Sequence, residues 1–524
     1  MTRPRTLQTC IRCCPDEARR PASSLVSALS RRLRPSPYST QSHPNPNTPS
    51  QQSLPSRPVN APKPALPLRH IRENVDLYAS NCIRRKYPSH SSSPARIATL
   101  FTQWKDADLQ ARKVRSKINT ITKTIASSSA DVRAGLLEDA SRLKEELKGL
   151  GDAEPMMKRE MDALALALPN LTSKETPAGD EFKVVGMFGE PVEQRHQALY
   201  VEANAPVPSH VEIGQRLGIV DFAAAATTSG HGWYFLLGDA AELEQALVQF
   251  ALRTATKAGW TPVSPPSVVY GHVGAACGFQ PRDGEASQIY SLSNGSFLSA
   301  ANTPSTQPEL CLAGTAEIPL AGMLANTTIP TMQLPIRRVA VSRCYRSEAG
   351  SYGAASRGLY RVHEFTKVEL FAWTAPEDAA TTEVFDEMLD LQTDILDALE
   401  LRCRVLEMPA GDLGASAVRK CDIEAWFPSR ADSHFGNDIH QNAGWGEVTS
   451  TSICTDYQTR RLGTRTPIGD KTGFPYTVNG TALAVPRIIA AILENGWDEE
   501  SRSVRVPEAL WPWMDKRVLG PAVV

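Results

Sequence analysis

Two strand-like segments joined by a polar loop constrain the fold of this chain more than any other feature. Residues 339–346 and 364–373 each carry β-branched or aromatic residues at roughly every second position, which predicts neighbouring strands of an antiparallel sheet. The loop between them, residues 350–358, is rich in Gly and Ser. Such a loop can close over a ligand.

Charged side chains and one aromatic ring are predicted to share one face of this strand pair. Residues spaced by two point to the same side of a strand. This spacing puts Arg346 and Glu348 near the end of the first strand and Phe365, Lys367 and Glu369 along the second. Alternating charges around one aromatic ring indicate a nucleotide-binding face.

The same segments resemble a signature of one enzyme class. RSEAG at residues 346–350 and RGLYRVHEFTKVE at residues 357–369 are similar to motif 2 of the class II aminoacyl-tRNA synthetases, in the form found in seryl-tRNA synthetases. Further blocks similar to that family occur in the order that it requires. One lies upstream, at residues 314–319, and the others lie downstream, at residues 422–426, 446–450, 454–461 and 479–487.

The resemblance implies an α+β catalytic domain over residues 176–524, built on an antiparallel sheet flanked by helices. GWTPVSPP at residues 259–266 resembles class II motif 1, in which a helix leads into a strand that ends at Pro. Pro cannot donate to a strand ladder, which suits the edge of a dimer, so a homodimer is expected. An ordinary helix–turn–strand connection fits these residues equally well when they are considered alone.

Two long helical patterns precede this domain, within an N-terminal domain placed at residues 65–175. Apolar residues recur at a three-four spacing over residues 101–125 and 136–168, with a polar break at 126–131, which predicts an antiparallel coiled-coil hairpin. A charged coiled coil is more often a solvated spacer or a dimerisation arm. The resemblance instead implies a helical arm that binds tRNA(Ser) by shape and backbone. Basic residues flank the first helix: Lys105, Arg112, Lys113, Arg115, Lys117 and Lys123.

Residues 1–64 form a separate zone rich in Arg, Ser and Pro, in which Asp16 and Glu17 are the only acids. Residues 23–33 place apolar side chains on one helical face with arginines nearby. This pattern predicts a mitochondrial transit peptide followed by a disordered spacer, and therefore a location in the mitochondrial matrix. The alternative is a disordered basic tail of a cytosolic protein.

Composition limits the other possibilities. The 524 residues carry a formal net charge of −1, so overall charge gives no indication of DNA binding, and RNA contact must depend on local basic surface. Of the ten cysteines, Cys10, Cys13 and Cys14 form the only cluster in the sequence, and it lacks the second Cys pair of a zinc finger, so it is interpreted as incidental rather than as a metal site. No apolar run approaches the ~20 residues that span a bilayer, so no membrane anchor is predicted.

The resemblance also implies an ATP site with Mg²⁺. Arg346 would clamp the α-phosphate and the serine carboxylate, Arg487 would hold the γ-phosphate, and Phe365 would stack on the adenine. Glu447 and Ser450 would contact Mg²⁺ and phosphate, because a hard cation prefers oxygen ligands. The predicted ATP-binding residues are Arg346, Ser347, Glu348, Val362, His363, Glu364, Phe365, Glu447, Val448, Thr449, Ser450 and Arg487.

L-serine is the amino acid that the resemblance implies. Its pocket must favour a substrate that carries one hydroxyl group. Discrimination comes from polar side chains that a wrong substrate would leave unpaired. Glu369, inside an apolar strand, requires a ligand or an Arg partner, since an unpaired buried carboxylate is costly. With Arg346 and Arg487 it is predicted to be catalytic. The predicted serine-binding residues are Thr315, Ala316, Glu317, Arg346, Glu369, Asn479 and Thr481.

Some features depart from the family pattern. Residues 292–308 and 429–444 are longer than expected, and Ile453 and Tyr476 replace the usual Asn and His. These changes leave the charged motif residues in place and affect loop geometry. The spacing of His363, His434 and His440 fits no metal site.

Two other classes of function remain open. A binding or regulatory protein on the same fold is expected to lack Arg346, Glu369 or Arg487, all of which are present. A ligase that loads an amino acid onto a carrier protein is expected to lack the helical arm, whereas this chain keeps residues 96–168. The sequence therefore favours ATP-dependent ligation of L-serine to tRNA(Ser) through a seryl-adenylate.

Overall fold

Helices precede a large sheet in the part of the chain that the structure describes. The computed structural model describes residues 58, 60–189, 207–279, 288–292, 308–348, 358–430 and 444–520. Most of the predicted transit peptide and its cysteine cluster lie outside these ranges, as do His434, His440, most of the polar loop at 350–358 and nearly all of the two long loops.

The α-helices follow one another in two groups, one before and one within the sheet domain. They are α1 (Leu68–Glu73), α2 (Val75–Arg84), α3 (Ser93–Ser127), α4 (Ala130–Ala167), α5 (His210–Arg216), α6 (Phe222–Thr228), α7 (Asp239–Lys257), α8 (Gly271–Ala276), α9 (Glu317–Met323), α10 (Asp378–Ala398), α11 (Tyr457–Leu462) and α12 (Val485–Gly496). Short 3₁₀ turns lie at Pro88–His90, Thr331–Gln333, Gly358–Tyr360, Ala410–Asp412, Pro428–Arg430 and Glu508–Trp513.

The strands vary in length from two to eleven residues. They are β1 (Lys183–Phe188), β2 (Val220–Asp221), β3 (Phe235–Leu236), β4 (Thr261–Val263), β5 (Val268–Tyr270), β6 (Ser291–Leu292), β7 (Leu310–Leu312), β8 (Ile336–Tyr345), β9 (Glu364–Thr374), β10 (Cys403–Glu407), β11 (Arg419–Trp426), β12 (Trp445–Thr455), β13 (Thr466–Ile468), β14 (Lys471–Gly473), β15 (Tyr476–Ala484), β16 (Trp497–Asp498), β17 (Ser503–Arg505) and β18 (Val518–Leu519).

Helices α3 and α4 form the predicted hairpin. They have 35 and 38 residues, so at 1.5 Å per residue each is more than about 50 Å long. They pack against each other, and the break at Ser128–Ser129 falls within the predicted polar tract. Within the described residues, no helix combines the length and apolar character needed to cross a membrane.

The predicted antiparallel sheet is confirmed. Among the described residues, eight strands form one sheet in the order β1-β10-β11-β12-β15-β9-β8-β4. Neighbouring strands are antiparallel except for β4, which runs parallel to β8 at the sheet edge. Strand β4 follows α7, as the motif 1 pattern predicted.

The two strands predicted on either side of the polar loop are direct neighbours. Strand β8 pairs with β9 in a register that sets Cys344 opposite Phe365 and Ala340 opposite Glu369. The pairing continues past β8, where the Arg346 N–H donates to the carbonyl of His363 at 2.9 Å. This register brings Arg346 next to the start of β9, as predicted.

Strand β9 separates two environments. Val368, Leu370 and Ala372 belong to the larger apolar core, and β9 contacts α7, α10 and α12 there. The intervening side chains face the other side of the sheet, where Phe371 and Trp373 join a second apolar cluster. At the opposite end of that second side, the strand carries Phe365, Lys367 and Glu369.

Candidate active site

A cavity of ≈ 390 Å³ lies over the polar end of β9. Strands β9, β11, β12 and β15, the residues that follow β8, the start of α9 and the start of α12 supply much of its wall. Most of the predicted site residues therefore meet in one place. Those that line the cavity are Thr315, Glu317, Arg346, Glu348, Val362, Phe365, Glu369, Glu447, Val448, Thr449, Ser450, Asn479, Thr481 and Arg487.

Four predicted residues do not line it. Ala316 is buried in the second apolar cluster, and Glu364 lies 3.8 Å from Arg343, on the side of β9 opposite to Phe365. The His363 ring contacts the Arg346 carbonyl at 3.0 Å. The backbone N–H of Ser347 donates to the carbonyl of Gln288. A direct ligand contact by these four side chains stays a prediction.

Two buried carboxylates define one end of the cavity. Glu317 accepts hydrogen bonds from Asn479 Nδ2 at 2.7 Å and from Gln458 Nε2 at 2.6 Å. Glu369 lies 2.5 Å from Lys367 Nζ. The partner that the sequence required for Glu369 is thus a lysine on the same strand, two residues away. We call this part of the cavity the acidic end.

Burial controls the charge of both acids. Burial, and then the negative charge of Glu369, raises the pKa of Glu317 to about 8. Burial also raises the pKa of Glu369, against the opposing effect of Lys367. A ligand cation at this end would compensate the second negative charge. The acidic end is therefore suited to an ammonium group.

Arg487 and a third carboxylate, that of Glu447, define the other end, which we call the basic end. Arg487 Nη1 lies 3.2 Å from the Glu447 carboxylate and donates to the Glu447 carbonyl at 2.9 Å. Burial alone would raise the pKa of Glu447, but the positive charges of Arg487, Lys420 and Arg346 outweigh it and lower that pKa to about 2. Glu447 is therefore ionised at neutral pH.

Arg346 stands between the two ends. Its guanidinium lies 5.3 Å from the centre of the Phe365 ring, and its Nε lies 3.4 Å from the Gly314 carbonyl, a long hydrogen bond. Beside it, Glu348 lies 3.4 Å from Arg361. An arginine whose fork keeps free donors toward a cavity can bind two anionic groups at once.

A second acid reaches the basic end from β11. Asp422 lies 2.8 Å from Lys420 Nζ, and Lys420 lines the cavity. Burial raises the pKa of Asp422 to about 7. Lys420 thus connects Asp422 to the charges around Glu447.

Gln392, a fully buried residue of α10 behind the sheet, was not predicted from the sequence. Its Nε2 donates to the carbonyls of Ser450 and Thr481 at 2.9 Å each. The ladder between β12 and β15 pairs residues no further than Thr451 with Gly480, so this amide bridges the two strands where they separate. A glutamine among apolar residues of a helix was the available signal, because a buried amide needs partners.

His210 was also missed. Its Nε2 accepts from the Leu359 N–H at 3.2 Å, and its Nδ1 lies 2.8 Å from Glu494 Oε1 on α12. A Cβ at Gly358, where φ is +70°, would overlap the His210 ring. The pair therefore fixes the turn that carries Tyr360, whose carbonyl accepts from Arg487 Nε at 3.3 Å.

Two family models match this chain. The seryl-tRNA synthetase N-terminal domain matches residues 66–172. The tRNA synthetase class II core domain (G, H, P, S and T) matches residues 302–496.

Known proteins resemble the chain over most of its length. A serine–tRNA ligase of Rhodopirellula baltica is 38% identical over 457 residues, which cover 86% of this chain and 98% of that protein. A mitochondrial serine–tRNA ligase of Schizosaccharomyces pombe is 37% identical over 455 residues, which cover 87% and 89%.

Solved structures show the same relationship. The seryl-tRNA synthetase of Pyrococcus horikoshii, complexed with ATP, has a TM-score of 0.73 and 30% identity and covers 87% of this chain and 100% of its own. The cytoplasmic serine–tRNA ligase of Naegleria fowleri, in complex with AMP, has a TM-score of 0.70 at 25% identity, with 87% and 99% covered. The chain therefore belongs to the seryl-tRNA synthetases, the serine–tRNA ligase family of class II aminoacyl-tRNA synthetases.

Proposed function

We propose that this chain joins L-serine to tRNA(Ser) with ATP, through a seryl-adenylate intermediate. The observation that carries the proposal is the cavity itself. It holds an ammonium-binding acidic end at Glu317 and Glu369, an anion-binding basic end at Arg487, and Arg346 between them. An amino acid and a nucleotide triphosphate bound at these ends would bring the carboxylate and the α-phosphate to the same arginine.

The first step is attack of a serine carboxylate oxygen on the α-phosphorus of ATP. A new P–O bond forms, the bond from the α-phosphorus to the bridging oxygen breaks, and pyrophosphate leaves. Little proton transfer is needed, so the protein contributes by alignment and by stabilising negative charge. We assign that role to Arg346, whose planar fork can contact both reactants in a way that Lys cannot reproduce.

The nucleotide would occupy the basic end. We assign Phe365 to stacking on the adenine, Glu348 and Val362 to contacts with the base, and Arg487 to the γ-phosphate. Arg487 now pairs with Glu447 at 3.2 Å, so a phosphate would share a guanidinium that is already oriented. Contacts from Ser347, His363 and Glu364 remain part of the proposal through their backbone atoms.

Glu447 and Ser450 are the residues that would hold Mg²⁺. The fit is chemical, since a carboxylate whose pKa is lowered to about 2 and a hydroxyl are hard oxygen ligands. Among the described residues no three His, Cys, Asp or Glu side chains form a metal cluster, so the phosphates would complete the coordination. When bound, the cation would neutralise phosphate charge.

Serine would occupy the acidic end. We assign its ammonium group to Glu317 and Glu369. We assign its hydroxyl to Thr315, Asn479 and Thr481. These side chains are buried. Alanine or glycine would leave them unpaired, which is the physical basis of selectivity for a hydroxyl substrate.

Transfer to tRNA requires a second surface, and the arm formed by α3 and α4 provides it. Its basic side chains are exposed: Lys105, Arg112, Lys113, Arg115, Lys117 and Lys123. They present positive charge along one long helix, which suits phosphate contacts with an RNA of defined shape. The arm supports a tRNA partner over a carrier protein.

Two further assignments concern assembly and location. The placement of β4 at the sheet edge after α7 supports a homodimer through motif 1. The basic composition of residues 1–64, together with the mitochondrial relatives of Schizosaccharomyces pombe and Saccharomyces cerevisiae, at 37% and 33% identity, supports a role in translation in the mitochondrial matrix.

ATP–pyrophosphate exchange tests the proposed reaction. The full chain is assayed with serine, alanine, glycine, threonine and cysteine, and serine tRNA is then added. We expect exchange with serine alone, followed by charging of the tRNA. Exchange without charging would indicate a carrier ligase, and absence of exchange would indicate a binding protein on a synthetase fold.

A further inference from the structure

A short loop of the catalytic domain, residues 414–417, closes the cavity at its acidic end. All four of its residues line the cavity. The Ser416 side chain lies against the Cys454 thiol, and Cys454 Sγ lies 3.7 Å from Asn479 Nδ2. Asn479 in turn donates to Glu317. The position of the loop therefore affects the group of side chains proposed to hold serine.

The N-terminal domain holds this loop by its backbone. Arg85, which directly follows α2, donates from Nη2 to the carbonyl of residue 414 and from Nη1 to that of residue 417, the latter at 2.9 Å. Asn170, which follows α4, donates from its backbone N–H to the carbonyl of residue 415 at 2.8 Å and from Nδ2 to that of residue 416 at 2.9 Å. Every carbonyl of the loop thus accepts a hydrogen bond from outside the catalytic domain.

The two donors also bind each other, because Arg85 Nη1 donates to the Asn170 carbonyl at 2.9 Å. Apolar packing adds to the contact, since Ala415 belongs to the core of the N-terminal domain together with Tyr78, Cys82 and Tyr87. Tyr87 itself lines the cavity. The base of the N-terminal domain is therefore part of the cavity wall.

Arg85 is fully buried. Placing a guanidinium away from water is costly, and a buried charge is weak support for a purely stabilising role. Its planar fork, with donors in fixed directions, suits the task of fixing several backbone carbonyls at once.

We propose that Arg85 is a positioning residue for amino-acid binding, and that with Asn170 it sets the 414–417 loop against the acidic end. The inference rests on the proposed function. It assigns a residue of the N-terminal domain, 329 positions from the loop in sequence, to serine recognition rather than to tRNA. The nucleotide end depends on Arg346, Arg487 and Glu447, none of which Arg85 contacts in the bonds described above.

The test is steady-state ATP–pyrophosphate exchange by the full chain without tRNA, with serine and ATP varied separately. Arg85→Ala is expected to raise the KM for serine by roughly tenfold or more, because small displacements of positioning contacts can cost up to ~10²-fold. The KM for ATP is expected to stay within about twofold. Arg84→Ala, at the exposed neighbouring arginine, is the matched control and is expected to leave both constants unchanged.

Two further measurements separate positioning from loss of structure. Millimolar guanidinium is expected to restore part of the serine affinity of Arg85→Ala and to leave Arg84→Ala unchanged. Asn170→Ala keeps the backbone bond to residue 415 but loses the Nδ2 bonds to the carbonyls of residues 416 and 454 and to the Thr455 hydroxyl. A smaller rise in the serine KM is therefore expected, of about threefold. Asn170→Ala is the test variant if Arg85→Ala does not fold.

The outcomes are distinct. An unchanged serine KM in folded Arg85→Ala, or in folded Asn170→Ala where Arg85→Ala does not fold, would overturn the positioning role, as would an equal rise of both constants. No serine-dependent exchange by the unsubstituted chain would instead overturn the proposed function.

Discussion

The helical arm and the cavity differ in how each depends on single residues. Beyond the base of the arm, few side chains are buried where α3 and α4 meet, among them Ala111, Val114 and Ala140. The cavity instead concentrates buried charges such as Glu317 and Glu369. Each buried charge needs its own partner, whereas the arm spreads weak contacts along its length.

This difference predicts where substitutions are tolerated. A change on the arm surface alters one exposed contact and leaves the hairpin intact. A change in the cavity leaves a buried side chain without its hydrogen bond or counter-charge, and water does not replace that contact. The base of the N-terminal domain, with Arg85, behaves as part of the cavity despite its place in the helical domain.

The largest effect is expected at Arg346. Arg346→Ala removes the group proposed to bind both the α-phosphate and the carboxylate, so serine-dependent exchange should fall by about 10³-fold or more. Arg338→Ala is the control, on β8, the strand that Arg346 follows, and outside the cavity wall. Exchange retained in Arg346→Ala would show that the active-site assignment is wrong.

Glu369→Gln is expected to lower the stability of the folded protein. The substitution leaves Lys367 as a buried cation without its counter-charge, which should lower the free energy of unfolding by about 3 kcal/mol. Urea unfolding measures the change. Combining it with Lys367→Met should recover part of the loss, and a single variant as stable as the unsubstituted chain would contradict the ion pair.

A pH dependence should distinguish Glu317 from an arm carboxylate. Its pKa is raised to about 8 by burial and then by Glu369, so the folded ligand-free protein holds this proton more tightly than the unfolded chain. Its stabilising contribution is full below the unfolded value of about 4.3 and is lost as the pH rises toward 8.

Urea unfolding between pH 5 and pH 8 measures this loss. Glu317→Gln should reduce the decline by ~3 kcal/mol, and Glu138→Gln on the exposed arm surface should leave it unchanged. Asp422, whose pKa burial raises to about 7, contributes a decline of the same sign in every variant. Equal slopes for Glu317→Gln and the unsubstituted chain would contradict the assignment.

The smallest effect is expected on the arm. Lys113→Ala should weaken tRNA(Ser) binding by roughly threefold and lower the slope of log affinity against log salt by about one. Serine-dependent exchange should not change. Lys148→Ala, on α4, is the matched control, and an equal loss in both variants would show that α3 is not the phosphate-facing helix.

Local pattern was sufficient to predict the sheet and the arm. Period-two alternation at β8 and β9, and three-four spacing at α3 and α4, depend on neighbours in sequence. The same alternation separates Glu364 from Phe365 within the predicted set at residues 362–365, whose ligand contacts stay a prediction. Successive strand residues face opposite sides, so Glu364 turns away from the cavity that Phe365 lines.

Contacts between distant segments were beyond sequence reasoning. Gln392 bonds Ser450 and Thr481, which lie on two different strands, and no local pattern reveals that these strands separate there. Arg85 stands between Arg84 and Lys86 in the sequence with nothing local to mark it, and the loop carbonyls that it binds lie more than 300 positions away. The partner of Glu369 was expected to be a ligand or Arg, and only the buried position of Lys367 identified it.

The most direct test of the separate roles of arm and cavity is a variant with a shortened arm and an intact base. Residues 112–146 are replaced by a short Gly–Ser turn, and exchange and tRNA charging are measured on the same preparation. We predict that serine-dependent exchange stays within about twofold, while charging of tRNA(Ser) falls by roughly a hundredfold, equivalent to ~2.7 kcal/mol. Loss of both activities together, or charging that persists unchanged, would contradict the division of work between arm and cavity.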